Sequence, residues 1–385
     1  MITSMMRRAL FSGDGSTLSL DFTTGVLDSR LTFTRASTGT FINASGNVAT
    51  ASNNVARFDH DPTTQAPKGL LIEGAATNLL NWSESFATSG GANNNWADTH
   101  ITRNSTNNTD PANGTTALRV TASATHGTII STTAMGTSAA RTFSIWLRRV
   151  SGTGTIDYTL DNGSTYTTQA ITSSWVRYTF PATTAAQRVG IRIHTNNDSI
   201  ELWGAQLEAG SGSSSYIPTG ASQATRNEDS ATMSSVASLG FDQYQGTFIV
   251  RGFQTKHGIS FARLLRIAGT TTEPFGMPIN GVTLYGTSRN ASNASIGEAT
   301  RTNTLGQAFA FGMSLDANDA ASAMRVSLNG SGILSGRTAL GPTEAATSFG
   351  FNTNATGTNY GCFAIRSVKF FPTQKTLAQL NELTT

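Results

Sequence analysis

Residues 200–229 constrain the fold more than any other stretch of this chain. Ile200, Leu202 and Gly204 alternate with Glu201 and Trp203, which predicts a strand with two unlike faces. Gly210-Ser-Gly212-Ser-Ser-Ser then breaks the pattern. Tyr216-Ile217-Pro218-Thr219 follows as an extended exit, because Pro218 cannot donate to a ladder and pushes Ile217 out of the helical region. A strand, a loop and an exit are how one β-domain closes before another begins.

The rest of the chain follows the same rule. Its 385 residues provide for two or three cores. Charged residues make up only 13%, about half the usual share, and Gly (38) with Ser, Thr and Asn takes their place. That balance favours short strands and polar turns over helices. Twenty Phe, seven Tyr and five Trp are spread along the chain, as a packed core requires and a disordered chain does not. The expected class is all-β: two tandem sandwiches behind an extended N-terminal segment.

Three segments follow. Residues 1–84 read as a leading segment packed on the first domain, a possible point of attachment, with good short strands at Leu18–Phe22 and Leu31–Arg35. Residues 85–220 carry eight strands at sandwich spacing, at 99–103, 117–121, 128–131, 141–148, 155–160, 175–180, 188–194 and 200–207. Residues 221–385 read as a second sandwich, clearest at 246–253, 264–267, 307–315, 324–330 and 362–371. Asn329-Gly330 is a hairpin turn there. A short helix over 376–383 ends the pattern, with Leu377, Leu380 and Leu383 at helical spacing.

Alternation also assigns faces. Phe143, Ile145 and Leu147 point one way, and Trp146 and Arg148 the other. Ile191 and Ile193 face in, and Arg192 and His194 face out. The outward set Trp146, Arg148, Arg192, His194, Glu201 and Trp203 combines rings with charged forks, the mixture a sugar site needs. The competing reading lays those rings against the leading segment or a neighbouring subunit.

Other chemistries find little support. The net charge is +3 at a pI near 9.2. Its arginines are scattered singly apart from Arg7-Arg8 and Arg148-Arg149, so no phosphate-tracking patch is expected and nucleic acid is not a partner. Cys362 is single, which rules out an internal disulfide and a Cys-based metal site. Asp59-His60-Asp61 offers metal-ligand types, but neighbours in an extended run point alternately, so an Asp-Pro turn is the expected role. His60, His100, His126, His194 and His257 lack metalloprotease spacing. Gly212-Ser213-Ser214-Ser215-Tyr216 fails as a nucleophile elbow at its last position. No local pattern pairs two carboxylates as a glycosidase would. The chain is expected not to be an enzyme and to need no cofactor. No apolar run is long enough to span a membrane, and Met1–Arg8 lacks the order of a signal peptide, so assembly in a cytoplasm is expected.

Two motifs carry a resemblance. Trp203-Gly-Ala-Gln-Leu-Glu208 followed by Ser215-Tyr-Ile-Pro-Thr219 resembles the closing signature of a carbohydrate-binding-module-like jelly roll found in bacteriophage virion proteins. Phe33-Thr-Arg35, Arg57-Phe-Asp-His-Asp-Pro62, Lys68-Gly-Leu-Leu-Ile-Glu73 and Thr77-Asn-Leu-Leu80 are similar to the segment that precedes it in such proteins. Residues 309–330 with 365–383 look like a concanavalin-A/laminin-G-like sandwich. The resemblance implies a virion appendage: a tail fibre, tail-associated or capsid-surface subunit that contacts host glycans. It also implies other virion proteins as partners, and self-association, as a homotrimer. Members of the sandwich family sometimes bind calcium, for which Asp316, Asp319, Glu298 and Glu344 are the sparse candidates. The alternatives are a purely structural head-decoration or tail-joining subunit, and a polysaccharide depolymerase, whose long β-helical repeat is missing from the sequence.

Overall fold

The fold is all-β, as the alternation predicts: two sandwiches and, among the described residues, one short helix. The computed structural model describes residues 13–86, 96–133, 140–182, 188–236, 239–242, 244–256, 258–269, 273, 275–289, 295–316, 324–335, 345–351 and 361–385.

The first sandwich stacks two five-stranded antiparallel sheets. One runs Val176–Ala182, Arg141–Ser151, Ser199–Ala209, Ala117–Ala122, Ile101–Asn108. The other runs Thr167–Ala170, Thr155–Thr159, Gly190–Ile193, Gly127–Ser131, Trp96–Thr99. Phe143, Ile145, Leu147, Ile191 and Ile193 meet in its core, on the faces that alternation gives them. Two details differ from the sequence reading. The expected strand at 99–103 is two strands, divided at His100, whose φ is +54°. Strand 200–207 does not keep one alternation throughout. Trp146 pairs with Trp203 and Ser144 with Gln206, so Gly204 and Ala205 together oppose Ile145. This is a bulge with Gly204 at φ +62°, a left-handed value glycine adopts without penalty. It moves the inward set from Ile200 and Leu202 to Ala205 and Leu207.

The second sandwich corrects the expected division of the chain. Leu18–Asp21 pairs with Cys362–Phe371, with Leu18 opposite Phe370. Pro67–Glu73 pairs with the same strand, with Glu73 opposite Cys362. Thr32–Thr34 pairs with Ser230–Met233. The leading segment is thus built into the C-terminal sandwich rather than laid only on the first. The physical reason is that Leu18, Leu20, Phe22, Phe33, Leu70 and Ile72 are all inward residues, and their apolar partners lie in that core with Phe248, Phe311, Phe349 and Phe370. The first sandwich is an insertion into the second. The chain leaves through Ala76–Asn78 and returns through Ala224–Arg226, which pair with each other as the two-stranded stem.

At the base of this stem lies a buried ion network. Arg57 bonds Asp229 and lies 2.8 Å from Glu73. Arg35 reaches Asp229 at 3.2 Å, and Arg226 reaches Glu73 at 3.5 Å. Glu73 also accepts from the Ser215 amide (2.7 Å) and hydroxyl (2.6 Å), which ties the insertion to its host. The C-terminal helix, Leu377–Leu383, is capped by Thr376 and Gln379 and packs Leu380 on Ile249 and Phe371.

The topology predicts the result of a deletion. Removing residues 13–73 takes away four strands of the second sandwich, with Phe58–His60 beside Pro67–Glu73 as the fourth, and seven buried core side chains, Leu31 included. That sandwich is expected to lose its cooperative unfolding transition and its near-ultraviolet circular dichroism. A dispensable leading segment would leave both unchanged.

Candidate functional site

Trp146 and Trp203 face each other across neighbouring strands, and Tyr216 completes the cluster. The ring centroids are 5.2 Å apart for the two tryptophans, and 5.3 and 4.8 Å from each to Tyr216. The packing is close because Gly204 lies beneath it. A Cβ at that position would sit 2.9 Å from the Trp146 ring. Val48 and Ala117 close the sides. The Trp203 Nε1 donates to the Thr116 hydroxyl at 2.7 Å.

This corrects the predicted site. Trp203 is 2% exposed and Trp146 5%, so neither offers a whole face to a ligand. Their apolar area is spent on Tyr216 and on the hairpin of strands Gly39–Ile42 and Val48–Ala51, which is the reading that laid the rings against the leading segment. Glu201 is fully buried and accepts from both Arg119 and Arg148. Arg192 and His194 are elsewhere, because Gly190–Ile193 belongs to the opposite sheet. There Arg192 and His194 each lie 2.6 Å from Asp157, and Arg192 covers Tyr166 at 3.7 Å. The six outward residues therefore divide between the two outer faces of one sandwich.

The structure brings together a different set. A cleft of about 250 Å³ opens between the hairpin, the first sandwich and the Gly/Ser loop. Trp146, Trp175, Tyr216, Arg177 and Asp59 line it, with Ser213 to Ser215 at one side. Arg177 is opposite Trp146 in register and lays its guanidinium over that ring at 4.6 Å. Its Nη1 donates to the Ser214 carbonyl (2.7 Å) and its Nη2 to the Ser144 hydroxyl (3.0 Å). Trp175 is half-buried, fixed by its Nε1 on the Thr109 carbonyl (3.1 Å), with Arg148 over its ring at 4.8 Å. Asp59 accepts from the Ile42 amide at 2.8 Å, and burial pushes its carboxyl up to about 6. Glu73 lies at the cleft wall. Burial works to raise its pKa, but Arg226, Arg57 and Ser215 together outweigh burial and hold it at about 2.

One signal in the sequence points to this cleft. Trp175, Arg177 and Thr179 alternate outward along a strand whose Tyr178 and Phe180 turn in toward the core. Asp59 carries no such signal, because only the fold brings it there. In Asp59-His60-Asp61 the side chains are used locally: Asp61 accepts from the amides of Thr63 and Thr64, the turn the sequence predicts. Among the described residues no three His, Cys, Asp or Glu side chains group to hold a metal. Of the calcium candidates, Asp316 and Glu298 lie on different sheets, and Asp319 and Glu344 fall outside the described residues.

No family model matches the chain, and no curated protein does. Solved structures that match in part include the botulinum neurotoxin serotype G binding domain, at 11% identity and a TM-score of 0.32, over 40% of this chain and 39% of that one. The receptor binding domain of the C/D mosaic serotype matches at 10% identity and a TM-score of 0.31, over 40% of each chain. A type C toxin, whose cell uptake is described as dependent upon interaction with two ganglioside molecules, matches at 10% and 0.33, over 41% of this chain and 39% of that one. The chain spans about two-fifths of the length of these structures.

The two carboxyls of the cleft wall predict opposite pH responses. Glu73 is held below its ordinary 4.5, so its contribution, roughly 3 kcal/mol, is complete above about pH 4.5 and is lost as pH falls toward 2. Asp59 is raised above its ordinary 3.8, so its burial costs nothing below that pH and destabilises the fold as pH rises through about 6. Asp59→Asn is expected to raise Tm above pH 6 and leave it unchanged near pH 4. Thermal unfolding at the two pH values checks this, and an equal shift at both would contradict it.

Proposed function

We propose that this protein is a bacteriophage virion subunit that contacts host-surface glycans through the cleft at Trp175 and Arg177. The observation that carries the reading is the cleft itself. Aromatic rings, a guanidinium donor and a carboxylate acceptor converge on a space of about 250 Å³. Ring faces stack on the C–H faces of a sugar, while hydroxyls accept from Arg177 and donate to Asp59. The volume is near the lower end of small-molecule sites, which suits one sugar ring with its neighbours outside. Support for the virion setting comes from the residues of the two motifs.

Binding is favoured over hydrolysis by the state of Glu73. Both its oxygens are engaged by Ser215 and Arg57, and it is 1% exposed, so it can neither attack an anomeric carbon nor activate water. A second reading keeps the virion setting and drops the ligand. It is favoured by the burial of Trp146, Trp203 and Glu201, since residues spent on packing need no further role. Within either reading the protein works in the particle, beside other copies of itself and other virion proteins.

Glycan-array and host-cell binding separate the two. Trp175→Ala is expected to weaken glycan binding roughly tenfold, the equivalent of about 1.4 kcal/mol from a lost ring contact. Arg192→Ala, on the opposite face, is expected to leave affinity within about twofold. Intact protein that binds no glycan but still joins particles would leave the purely structural reading.

A further inference from the structure

Arg177 is the one guanidinium of the cleft with no carboxylate within ion-pairing distance among the described residues. It is half-buried, and its Nε is enclosed without a hydrogen-bond partner. Burial holds its pKa below the ordinary value, so the site bears a cation that its surroundings do not fully compensate. Its two hydrogen bonds go to neutral oxygens and use one N–H of each Nη, which leaves a second N–H on each. Two N–H groups on one planar fork match the two oxygens of a carboxylate. Trp146 lies beneath the guanidinium, its ring centroid 4.6 Å from Cζ.

The other charged groups at and behind the cleft, Asp59 apart, are engaged elsewhere. Glu73, from Pro67–Glu73, is taken by Arg57, Arg226 and Ser215. Glu208, from Ser199–Ala209, accepts from Ser214 and Gln206 and lies 3.5 Å from Lys256. The Tyr216 hydroxyl bonds Ser83 and Glu84. Asp59, from Phe58–His60, accepts from the Ile42 amide and has no ion-pair partner among the described residues. We propose that the cleft selects a carboxylate-bearing sugar, such as a hexuronic acid, with the sugar carboxylate on the Arg177 fork and the ring against Trp175. The inference rests on the glycan reading above and deepens it from sugars in general to acidic ones.

The same wall gives the selection a pH dependence. Asp59 is charged at neutral pH and repels an acidic ligand. Its carboxyl protonates at about 6, where a uronate, ionising near 3.5 like an α-carboxyl, keeps its charge. Acidic sugars should therefore bind more tightly at pH 5.5 than at pH 7.5, and neutral sugars about equally at both.

Titration calorimetry on the full chain tests this with hexuronic-acid oligomers, the matching neutral hexose oligomers and an oligoglutamate peptide, at both pH values. The expected result is a preference of at least about tenfold for the uronate over both other probes. Arg177→Met is expected to erase the preference by lowering uronate affinity about tenfold more than neutral-sugar affinity, and Arg177→Lys to restore part of it. Asp59→Asn is expected to give at pH 7.5 the uronate affinity of the unaltered protein at pH 5.5. That variant carries the test should Arg177→Met unfold, as its thermal midpoint would show. Equal binding of uronate and hexose overturns acid selection and leaves the glycan reading standing. Binding of neither sugar overturns both. Oligoglutamate binding as tight as uronate would assign the fork to a protein carboxylate and overturn the sugar assignment.

Discussion

The structure depends on one buried ionic junction. Three guanidinium groups, Arg35, Arg57 and Arg226, share Glu73 and Asp229 where the inserted sandwich leaves and rejoins its host. All five are almost wholly out of water. Such a network costs several kcal/mol per ion to desolvate and recovers it only when every partner is in place. It is therefore a poor source of net stability and a strict specifier of arrangement. The participants come from residues 35, 57, 73, 226 and 229, so the network cannot assemble until the leading segment, the stem and the returning chain have all met. That requirement sets how the two sandwiches are joined more firmly than their apolar surfaces could, because apolar contact tolerates sliding and a shared carboxylate does not.

The same junction explains the two motifs. Arg35, Arg57 and Glu73 belong to one, and Ser215 and Tyr216 to the other. In the structure Ser215 caps Glu73, Arg57 bonds both Glu73 and the Ser215 hydroxyl, and Tyr216 seals the tryptophan pair. Residues far apart in sequence are thus one constellation, and its first duty is architectural. Glu201, Trp146 and Trp203, which sequence reasoning assigned to ligand, belong to the same layer.

The local level of the fold was legible, because alternation is a direct consequence of strand geometry. It correctly put Phe143, Ile145 and Leu147 inward, and it found the five clearest strands of the second sandwich. Connectivity was not legible. Nothing in Leu18-Ser-Leu-Asp says that its partner is Ser367–Phe370, since an inward leucine fits any apolar core. The site failed for a related reason. An outward position in a strand faces away from its own sandwich, but that is not the same as facing water when a hairpin from elsewhere covers it. Arg192 and Trp146 are both outward and lie on opposite sides of the molecule, a distinction only sheet order can make. Trp175 and Arg177 had the same pattern as the residues chosen and were distinguishable only by what does not cover them.

The cleft is a by-product of the junction. The hairpin Gly39–Ile42 and Val48–Ala51 comes down on the tryptophan pair because Asp59 and His60 hold Ile42 from behind. Arg57, one residue from Phe58, is fixed by the ion network beneath. The hairpin therefore cannot close fully on Arg177, whose side chain stands between Trp146 and the Gly/Ser loop. A partly desolvated cation with no ion-pair partner among the described residues is a cost that a purely architectural seam would avoid by placing a methionine or a glutamine there. The fold keeps the guanidinium over a ring, with one N–H to spare on each terminal nitrogen, in a wall held by the ionic junction. Rigidity of the walls and an unspent charge between them are what a preorganised site requires; the first rests on the five buried ionic side chains of the junction, and the second on Arg177 itself.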